Sequence, residues 1–514
     1  MMLRTTQKHA GTCYNACLTR AAVAGAGIRH QTTCSAQPRP KSDVPGPRRW
    51  PFLQSLPYVV AHKDDYKDRL YVVYDKCVKE FGPLFRLQMP GQKPRVFVTD
   101  PKDIEHILQV TAKDPRRIVC DPWKEIRDSH PFFVSGQAGI VGEHGEEWWR
   151  VRKTIQSYTN KTKEVENYIS GIDRIAVEAV KSWANMRDEK SELPADFDHE
   201  LCKWFLEALG VVYFNKNFGC LEGNEESLKI IDMPESVFKC IHNLEISSGV
   251  WSSWFYKKEF KKLTALHEGL FRFINKHVSI FCDELKARGP TSDEEPCMVE
   301  KMLQDPRLTY QDVHAYLIDS LLGGIHSSSL AFAFVLLGLA QHPEAQTKLQ
   351  EELDTVLGDP SEPVTAHHLA RLSYTKACFK EALRLNKPTA VIMREVVEDT
   401  VLRDFLLPKG LHVYLYVRPA GLDEEYFPRA SEFLPERWLR HRPLGPVNAL
   451  ASLNFGFGRR NCVAQRMAEA ELYILLIRIL QKYHLRWQYG AINPTLKFVF
   501  LPDKPLRLTM TERS

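Results

Sequence analysis

The stretch Phe455-Gly-Phe-Gly-Arg-Arg-Asn-Cys462 stands directly before an amphipathic helical pattern and is the most informative part of this 514-residue chain. A cysteine at the start of a helix meets unpaired backbone N–H groups and the positive end of the helix dipole, and both stabilise a thiolate. Two glycines let the backbone pass close to a flat ligand, and Arg460 can neutralise a carboxylate on it. The alternative for the same residues is a glycine turn that leads into a buried, inert cysteine.

Charged residues earlier in the chain add to this pattern. Glu381 and Arg384 are three positions apart in a helical pattern, which puts both side chains on one helix face. Pro435-Glu-Arg437 lies between that helix and the cysteine. Taken without this third segment, Glu381 and Arg384 would be interpreted as a solvated surface pair that adds little stability.

Further candidates are Trp148 and Arg152, which share one helical segment, and Arg394, ten residues after Arg384. Each of them alone would be an ordinary surface or core residue. Together with Cys462 they form an ordered set that chance would rarely assemble.

On these residues, the chain resembles the cytochrome P-450 superfamily over essentially all of residues 44–512. The stretch that ends at Cys462 is similar to the family's haem-binding signature, which implies that Cys462 is the sulfur ligand of a haem b iron. A thiolate ligand pushes electron density onto haem iron and favours cleavage of the O–O bond. The resemblance also implies a set of residues that bind the haem and its propionates: Arg460, Trp148, Arg152, Arg394 and Phe455.

In similar proteins the helical Glu–Arg pair is completed by an arginine from a Pro-Glu-Arg segment, and Arg437 supplies it here. The resemblance therefore implies that Glu381, Arg384 and Arg437 form a buried network that holds the fold around the haem. Their expected role is structural, not catalytic.

The helical segment 313–340 contains Gly323-Gly-Ile-His-Ser-Ser328, where similar enzymes have Ala/Gly-Gly-x-Asp/Glu-Thr-Thr/Ser. The resemblance implies that small residues such as Gly324 open a groove for dioxygen, and that an acid and a hydroxyl deliver protons there. Ser327 keeps the hydroxyl. His326 replaces the carboxylate, and with an ordinary pKa of about 6.5 it could still shuttle protons near neutral pH. An impaired, non-hydroxylating site is the alternative, and we expect His326→Asp to raise the coupling of reductant to product.

The periodicity predicts a mainly α fold: one large helix-rich domain with small β-sheets at one side, as in the cytochrome P-450 fold. We divide the chain into a leader at 1–42, a proline-rich hinge at 43–51 and a haem-thiolate monooxygenase domain at 52–514. The helical patterns, and then the strand patterns, are at 201–214, 227–247, 260–286, 313–340, 343–357, 372–385 and 463–483, and at 84–99, 402–407 and 413–417.

The leader carries six basic side chains and no acid, which is the composition of a mitochondrial transit peptide. The alternative is a disordered tail. The rest of the chain has 63 basic against 64 acidic residues, so nucleic acid is not an expected partner. The expected location is the mitochondrion, on the matrix side of the inner membrane.

A second indication of the mitochondrial class is the pair Lys376 and Lys380, which lie one helical turn apart and resemble the ferredoxin-docking lysines of mitochondrial members. Arg466 also matches a basic position there. The implied partner is an adrenodoxin-like mitochondrial ferredoxin with its NADPH-dependent reductase, attracted by electrostatic steering. The alternative is a pair of solvated lysines on an amphipathic helix.

The segment 250–258 (VWSSWFYKK) mixes aromatic and basic residues, which suits peripheral contact with a membrane interface. Ordinary core aromatics beside a solvated basic helix are the alternative.

Segments that line the substrate pocket in similar enzymes are apolar here, at 132–134, 390–393 and 498–501. They predict a hydrophobic, sterol-like small-molecule substrate with few polar anchors. Three functions stay open: a ferredoxin-dependent sterol hydroxylase, a xenobiotic-oxidising monooxygenase, and a haem protein with impaired oxygen activation that carries or senses a ligand.

Overall fold

The computed structural model describes residues 38–62, 69–133, 137–246, 253–288, 295–389 and 391–513. Most of the predicted leader, at 1–37, lies outside the described residues, and so do Val134, Ala390 and the 250–252 part of the aromatic and basic segment. Contacts group Pro40–Ser514 into one compact unit, so the proline-rich hinge belongs to that unit. Val44 in the hinge is fully buried.

Helices make up most of the structure. They are α1 Leu56–Ala61, α2 Leu70–Phe81, α3 Pro101–Val110, α4 Asp121–Ser129, α5 Gly139–Gly142, α6 Gly145–Thr159, α7 Thr162–Glu166, α8 Ile169–Asn185, α9 Phe197–Phe214, α10 Glu225–Ile231, α11 Met233–Ile246, α12 Ser253–Arg288, α13 Met298–Leu303, α14 Tyr310–Leu321, α15 Ser327–Gln341, α16 Pro343–Leu357, α17 Ala366–Arg371, α18 Ser373–Leu385, α19 Arg418–Gly421 and α20 Gln465–Lys482.

The strands are short and fall into separate small sheets. They are β1 Arg39–Pro40, β2 Leu84–Arg86, β3 Arg95–Val98, β4 Val391–Glu395, β5 Thr400–Leu402, β6 Phe405–Leu407, β7 His412–Tyr416, β8 Tyr483–Arg486, β9 Thr495–Lys497, β10 Val499–Leu501 and β11 Thr509–Glu512. The largest sheet has the order β2-β3-β7-β4, with β3 parallel to β7 and the other pairs antiparallel. The mainly α fold with small sheets, predicted from the sequence, is confirmed.

The central element is the helical run from α14 to α15, which is interrupted by a π-helical turn at Leu322–His326. It begins with a capping box, in which the Thr309 hydroxyl accepts from the Asp312 N–H and the Asp312 carboxylate accepts from the Thr309 N–H. In the described part of the chain this run alone is long and apolar enough to cross a membrane, but 78% of its apolar window is buried inside the protein. Its apolar surface therefore belongs to the protein core, and the π turn interrupts the run at Leu322–His326.

Candidate active site

The cysteine turn has a backbone that only glycine accommodates without strain. Gly456 and Gly458 have φ values of +78° and +75°, and Gly458–Arg460 forms a single 3₁₀ turn. The Cys462 N–H donates to the Phe455 carbonyl at 2.8 Å, which closes the loop on itself. Helix α20 begins three residues after the cysteine. The turn therefore presents the Cys462 side chain from a rigid backbone at the start of a long buried helix.

Opposing influences act on the Cys462 thiol. Burial raises its pKa, while the Ala464 backbone N–H and the nearby positive charges of Arg152 and Arg117 lower it. The residue lies deep in the protein yet is only half-buried by surface area, which means that it borders an internal space. A bound metal would add a further stabilising charge for the thiolate.

Two side chains of helix α6 hold the cysteine turn by hydrogen bonds. The Arg152 guanidinium donates to the backbone and side-chain oxygens of Asn461, both at 2.7 Å. The Thr159 hydroxyl donates to the Val463 carbonyl at 2.7 Å. The residues on both sides of Cys462 are thus bonded to one helix. Two N–H groups of Arg152 are occupied by these bonds.

Four arginines gather beside this turn, and none of them bonds to a carboxylate among the described residues. This arginine cluster consists of Arg117, Arg152, Arg394 and Arg460, and the charge of Arg117 lowers the pKa of each of the other three. Burial is the largest cause, and it lowers the pKa of Arg394 to about 9 and that of Arg152 to about 10. The Nε atoms of Arg394 and Arg460 are buried with no hydrogen-bond partner. Buried cations of this kind require an anion, so the cluster could hold an acidic cofactor or ligand.

Trp148 and Arg117 complete the surroundings of the cluster. The Arg460 guanidinium lies 4.7 Å from the centre of the Trp148 ring, and Arg117 donates to the Arg460 carbonyl at 2.9 Å. The structure thus brings together the residues proposed from the sequence for haem binding. Sequence reasoning missed Arg117, because its neighbour in space, Arg460, is 343 positions away in the chain.

The π turn contains a glycine that borders open space. The Ser327 hydroxyl donates to the Gly323 carbonyl, and a Cβ built on Gly323 would meet no atom within 4 Å. A Cβ on Gly324 would lie 3.0 Å from the Leu209 side chain, so that glycine is needed for close packing on α9. Gly323, and not Gly324, therefore borders open space, one turn before Ser327.

His326 occupies a different setting from the one expected. It is only 6% exposed, its ring lies 5.9 Å from that of Phe238 on α11, and its Nε2 has no hydrogen-bond partner. Burial alone lowers its pKa to about 4. The expectation that this histidine shuttles protons near neutral pH assumed an ordinary pKa, and the structure corrects that assumption: the ring is neutral at physiological pH.

The carboxylate of Glu381 receives five donated hydrogen bonds. Two come from Arg384 at 2.8 and 2.9 Å and one comes from Arg437 at 2.9 Å; the Leu434 N–H and the Trp438 indole N–H, at 2.9 and 2.8 Å, supply the others. The remaining donors of both arginines bond to backbone carbonyls of residues 421–432. All three side chains are at most 1% exposed. The three residues are thus brought together as one buried network that joins α18 to the loop before the cysteine turn.

A second buried network, which sequence reasoning missed, surrounds Asp319 on α14. Its carboxylate accepts from Arg127 at 2.8 Å, from the Trp123 indole N–H at 3.2 Å and from the Val141 N–H at 2.9 Å. The Val141 carbonyl accepts from Arg460 at 3.0 Å. A single residue, Val141, thus connects the central helix to the arginine cluster. No spacing rule finds this network, since Asp319 and Trp123 are 196 residues apart.

The basic residues proposed for docking surround a carboxylate. Lys380 and Arg466 are exposed and Lys376 is half-buried. The charges of all three lower the pKa of Glu469 on α20, although burial outweighs them and raises it overall. The patch formed by Lys376, Lys380 and Arg466 is therefore basic, with one acid inside it that the sequence analysis did not anticipate.

A surface-connected cavity lies between the large sheet and α11. Its lining includes Val391, Met393 and Phe498 from the segments predicted to form the substrate pocket, together with more polar residues than expected: Gln92, Arg95, His242, Glu245 and Tyr414. Phe132 and Phe133 do not line it, because their rings pack against Phe271 of α12.

Two further contacts connect this cavity to the central helix. Phe498, at the tip of the β9–β10 hairpin, has a left-handed φ of 73° and stacks 5.5 Å from Phe238. Phe238 packs in turn on His326. Two aromatic side chains, Phe498 and Phe238, thus connect the lining of the cavity to His326 in the π turn.

The chain matches the family model of cytochrome P-450 over residues 44–510, which is nearly its whole length. The chain belongs to the cytochrome P-450 family. It is therefore a monooxygenase of a haem-binding family, as the cysteine turn indicated. Similar proteins include probable cytochrome P-450 49a1 of Drosophila melanogaster, 31% identical over 94% of this chain and 85% of that protein.

Two other relatives of this cytochrome P-450 carry names that place them in mitochondria. Probable cytochrome P-450 301a1, mitochondrial, of Drosophila melanogaster is 29% identical over 94% of this chain and 89% of that protein. The mitochondrial 1,25-dihydroxyvitamin D(3) 24-hydroxylase of Rattus norvegicus is 27% identical over 86% of this chain and 84% of that protein. The resemblance to the mitochondrial class is confirmed by these matches.

Proposed function

We propose that this cytochrome P-450 is a mitochondrial haem-thiolate monooxygenase that hydroxylates a hydrophobic, sterol-like substrate with electrons from a ferredoxin. The observation that carries the proposal is Cys462 on its rigid turn beside the arginine cluster. Haem b fits these residues, because it offers iron to a thiolate and two carboxylates to cations that have no acidic partner. Bound there, it supplies the oxygen-activating chemistry of the family.

Within this proposal, Cys462 would hold the iron, and Phe455 and Trp148 would border the haem. Arg394 and Arg460 have unpartnered donors and are the first choices for the propionates. Arg152, whose guanidinium donates two hydrogen bonds to Asn461, holds the turn and contributes positive charge. Arg117 joins the set as a fourth cation.

Replacing Arg394 tests this assignment. We expect Arg394→Met to leave the unfolding temperature of the haem-free protein unchanged or higher, because the variant removes a buried charge from a cluster of like charges. In the haem-loaded protein we expect transfer of haem to an acceptor protein to become about tenfold faster or more, since a charge-assisted hydrogen bond is lost. Arg174→Met on α8, where the arginine is exposed, should change neither measurement. A stable haem complex in Arg394→Met would remove this residue from the site.

We further propose that Ser327 and ordered water move protons at the π turn, without His326. The Ser327 hydroxyl donates to Gly323, which leaves the lone pairs on Oγ free to accept from water in the adjoining space. His326 is neutral, apolar in its surroundings and without a partner on Nε2. A carboxyl in its place would meet the same desolvation, so the gain expected from His326→Asp becomes smaller at neutral pH.

The variant Ser327→Ala distinguishes the role of Ser327 in proton delivery from that of His326. We expect product per NADPH consumed to fall about tenfold to a hundredfold, with a matching rise in hydrogen peroxide, because the hydroxyl is lost from the relay. His326→Gln, an uncharged replacement, should change both yields little. An equal loss in His326→Gln would return the histidine to the relay.

The same histidine gives a pH test of its burial. Because its pKa is lowered to about 4 in the folded protein, protonation favours the unfolded chain. The stability from keeping the ring neutral is fully present above the unfolded pKa of about 6.5 and is lost as the pH falls toward 4. His326→Gln should lose less stability than the wild type over that window, as measured by urea unfolding.

The basic patch supports the ferredoxin as partner. We expect Lys380→Glu to raise the KM for ferredoxin about tenfold while kcat at saturating ferredoxin stays within about twofold, since charge reversal at a surface patch acts mainly on association. Glu469→Gln should lower that KM, because it removes the acid within the patch. Lys261→Glu, at an exposed position on α12, is the matched control and should behave as the wild type. An unchanged KM for ferredoxin in both Lys380→Glu and Glu469→Gln would exclude this patch as the docking surface.

The cavity between the large sheet and α11 has a lining that suits a hydrophobic substrate with a polar end. Arg95 and Glu245 form an ion pair at 3.5 Å, and the Tyr414 hydroxyl donates to Glu245 at 2.8 Å. Apart from Gln92, His242 and the hydroxyl of Tyr414, the other side chains of the lining are mainly apolar. A sterol, with a rigid hydrocarbon body and a terminal oxygen, matches that distribution.

Exposed aromatic residues support peripheral contact with a membrane. Trp254 is 73% exposed and Phe52 is 92% exposed, and the Lys258 ammonium lies 5.4 Å from the centre of the Trp254 ring. Exposed aromatics beside lysine suit the headgroup region of a bilayer. The matrix side of the inner membrane is therefore the proposed location.

Reconstitution with ferredoxin, its NADPH-dependent reductase and a panel of sterols tests the proposed function. Hydroxylation of one sterol supports it, whereas turnover of many unrelated hydrophobic ligands would favour a xenobiotic-oxidising enzyme. The buried, unpartnered His326 favours a third candidate, a ligand carrier or sensor with impaired oxygen activation. That candidate requires intact thiolate-ligated haem and no product with any ligand.

A further inference from the structure

A small cavity behind α18 contains a buried amine that the proposed function does not use. Lys387, between α18 and β4, is 3% exposed, and its Nζ has no hydrogen-bond partner among the described residues. The residue lines a cavity in which the centre of a water-sized sphere can occupy about 10 Å³, so the cavity has room for one water molecule or one monatomic ion. Such an amine requires an explanation, because an unpartnered buried ammonium is costly.

The backbone on both sides of Lys387 is held by hydrogen bonds. The Asn386 N–H donates to the Ala382 carbonyl at 2.9 Å, which continues the end of α18. The Phe500 N–H donates to the Pro388 carbonyl at 2.7 Å. These bonds fix the main chain beside the cavity, and the side chain of Lys387 is buried in its lining.

The charges around the cavity do not balance. Arg384 and Arg418 line it with Lys387. Arg418 is paired with Asp75, but the network of Arg384 and Arg437 has only Glu381 as counter-ion. The surroundings thus carry one excess positive charge before Lys387 is counted.

We propose that this cavity binds one small monovalent anion of about the size of chloride, with Lys387 as its direct partner. All five N–H donors of Arg384 are already bonded to Glu381 and to carbonyls, so that arginine contributes charge but no hydrogen bond. Apolar walls from Phe334 and Phe500 exclude bulk water and strengthen the attraction.

A water molecule beside an uncharged amine is the competing occupant. Burial and the two arginines lower the pKa of Lys387 to about 7, which would permit that state when the cavity holds no anion. An anion restores the charge on the amine and offsets the excess positive charge, whereas water does neither. Asn386 and Arg418 in the lining could bond to a buried water, so the charge balance, and not the number of polar partners, favours the anion.

The unfolding temperature of the haem-loaded protein in different salts tests this proposal. We expect chloride and bromide to raise it in a saturable way relative to gluconate at equal ionic strength, because gluconate is too large to enter. Lys387→Met should abolish the halide-specific rise, while Lys409→Met, at an exposed turn position, should keep it.

Two results would overturn the proposal: equal unfolding temperatures of the wild type in halide and gluconate, which is the outcome for a cavity with water only, or a halide effect that survives in Lys387→Met. Should Lys387→Met fail to fold, bromide soaked into wild-type crystals decides the question by anomalous scattering. A single bromide peak beside Lys387 supports the site, and no peak there rejects it.

Discussion

Cys462→Ala is expected to abolish the red-shifted carbon monoxide difference spectrum of thiolate-ligated haem and to eliminate substrate hydroxylation. The reason is that Cys462 alone presents sulfur from the glycine turn next to the arginine cluster. The turn itself is held by Arg152, by Thr159 and by the Phe455 carbonyl, none of which needs the Cys462 side chain. We therefore expect the variant to fold and to lose its iron ligand specifically.

Two matched variants sharpen this experiment. Cys462→His offers a nitrogen ligand from the same backbone position, so haem should bind but the carbon monoxide spectrum should lack the thiolate band. Cys282→Ala replaces another partly buried cysteine, on α12, and should leave spectrum and activity unchanged. A thiolate spectrum in Cys462→Ala would assign the ligand to another residue.

Glu381→Gln is expected to cost about 3–5 kcal/mol of folding free energy, because it leaves Arg384 and Arg437 buried without a counter-ion. Both arginines are at most 1% exposed, so water cannot replace the lost carboxylate. We expect low soluble yield, and for the protein that folds, urea unfolding should begin at a much lower concentration than in the wild type. Glu344→Gln, an exposed acid on α16, should have no such effect.

The triple variant Glu381→Met, Arg384→Met, Arg437→Met extends this test. Replacing a buried ion network by apolar groups of similar size is often much less costly than removing one partner. We therefore expect the triple variant to be more stable than Glu381→Gln alone. A cost below about 1 kcal/mol for Glu381→Gln would show that the network does not carry the stability assigned to it.

The parts of the site that are local in sequence could be predicted. The cysteine turn is eight residues long, and the Glu381–Arg384 pair follows from helix geometry. Arg437 required the family resemblance, because nothing in its spacing links it to Glu381. Arg117 and Asp319 were missed for the same reason: their partners come from distant segments that only the folded chain brings together.

Errors in the predicted elements have physical causes. The helix predicted at 227–247 is two helices, α10 and α11, and Pro234 in the first turn of α11 was an available signal for the break. The strand predicted at 402–407 is a hairpin of β5 and β6 that turns at Arg403, whose φ of 54° is rare outside glycine. The low pKa of His326 also lay beyond sequence reasoning, because it depends on burial against Phe238.

The hydrogen bonds between α6 and the cysteine turn affect the order in which the chain folds and binds its cofactor. Hydrogen bonds between protein groups shape the turn: Arg152 to Asn461, Thr159 to Val463, and Cys462 to Phe455. None of these bonds needs the cofactor, so the loop that carries Cys462 can form as the chain folds, and cofactor binding can follow.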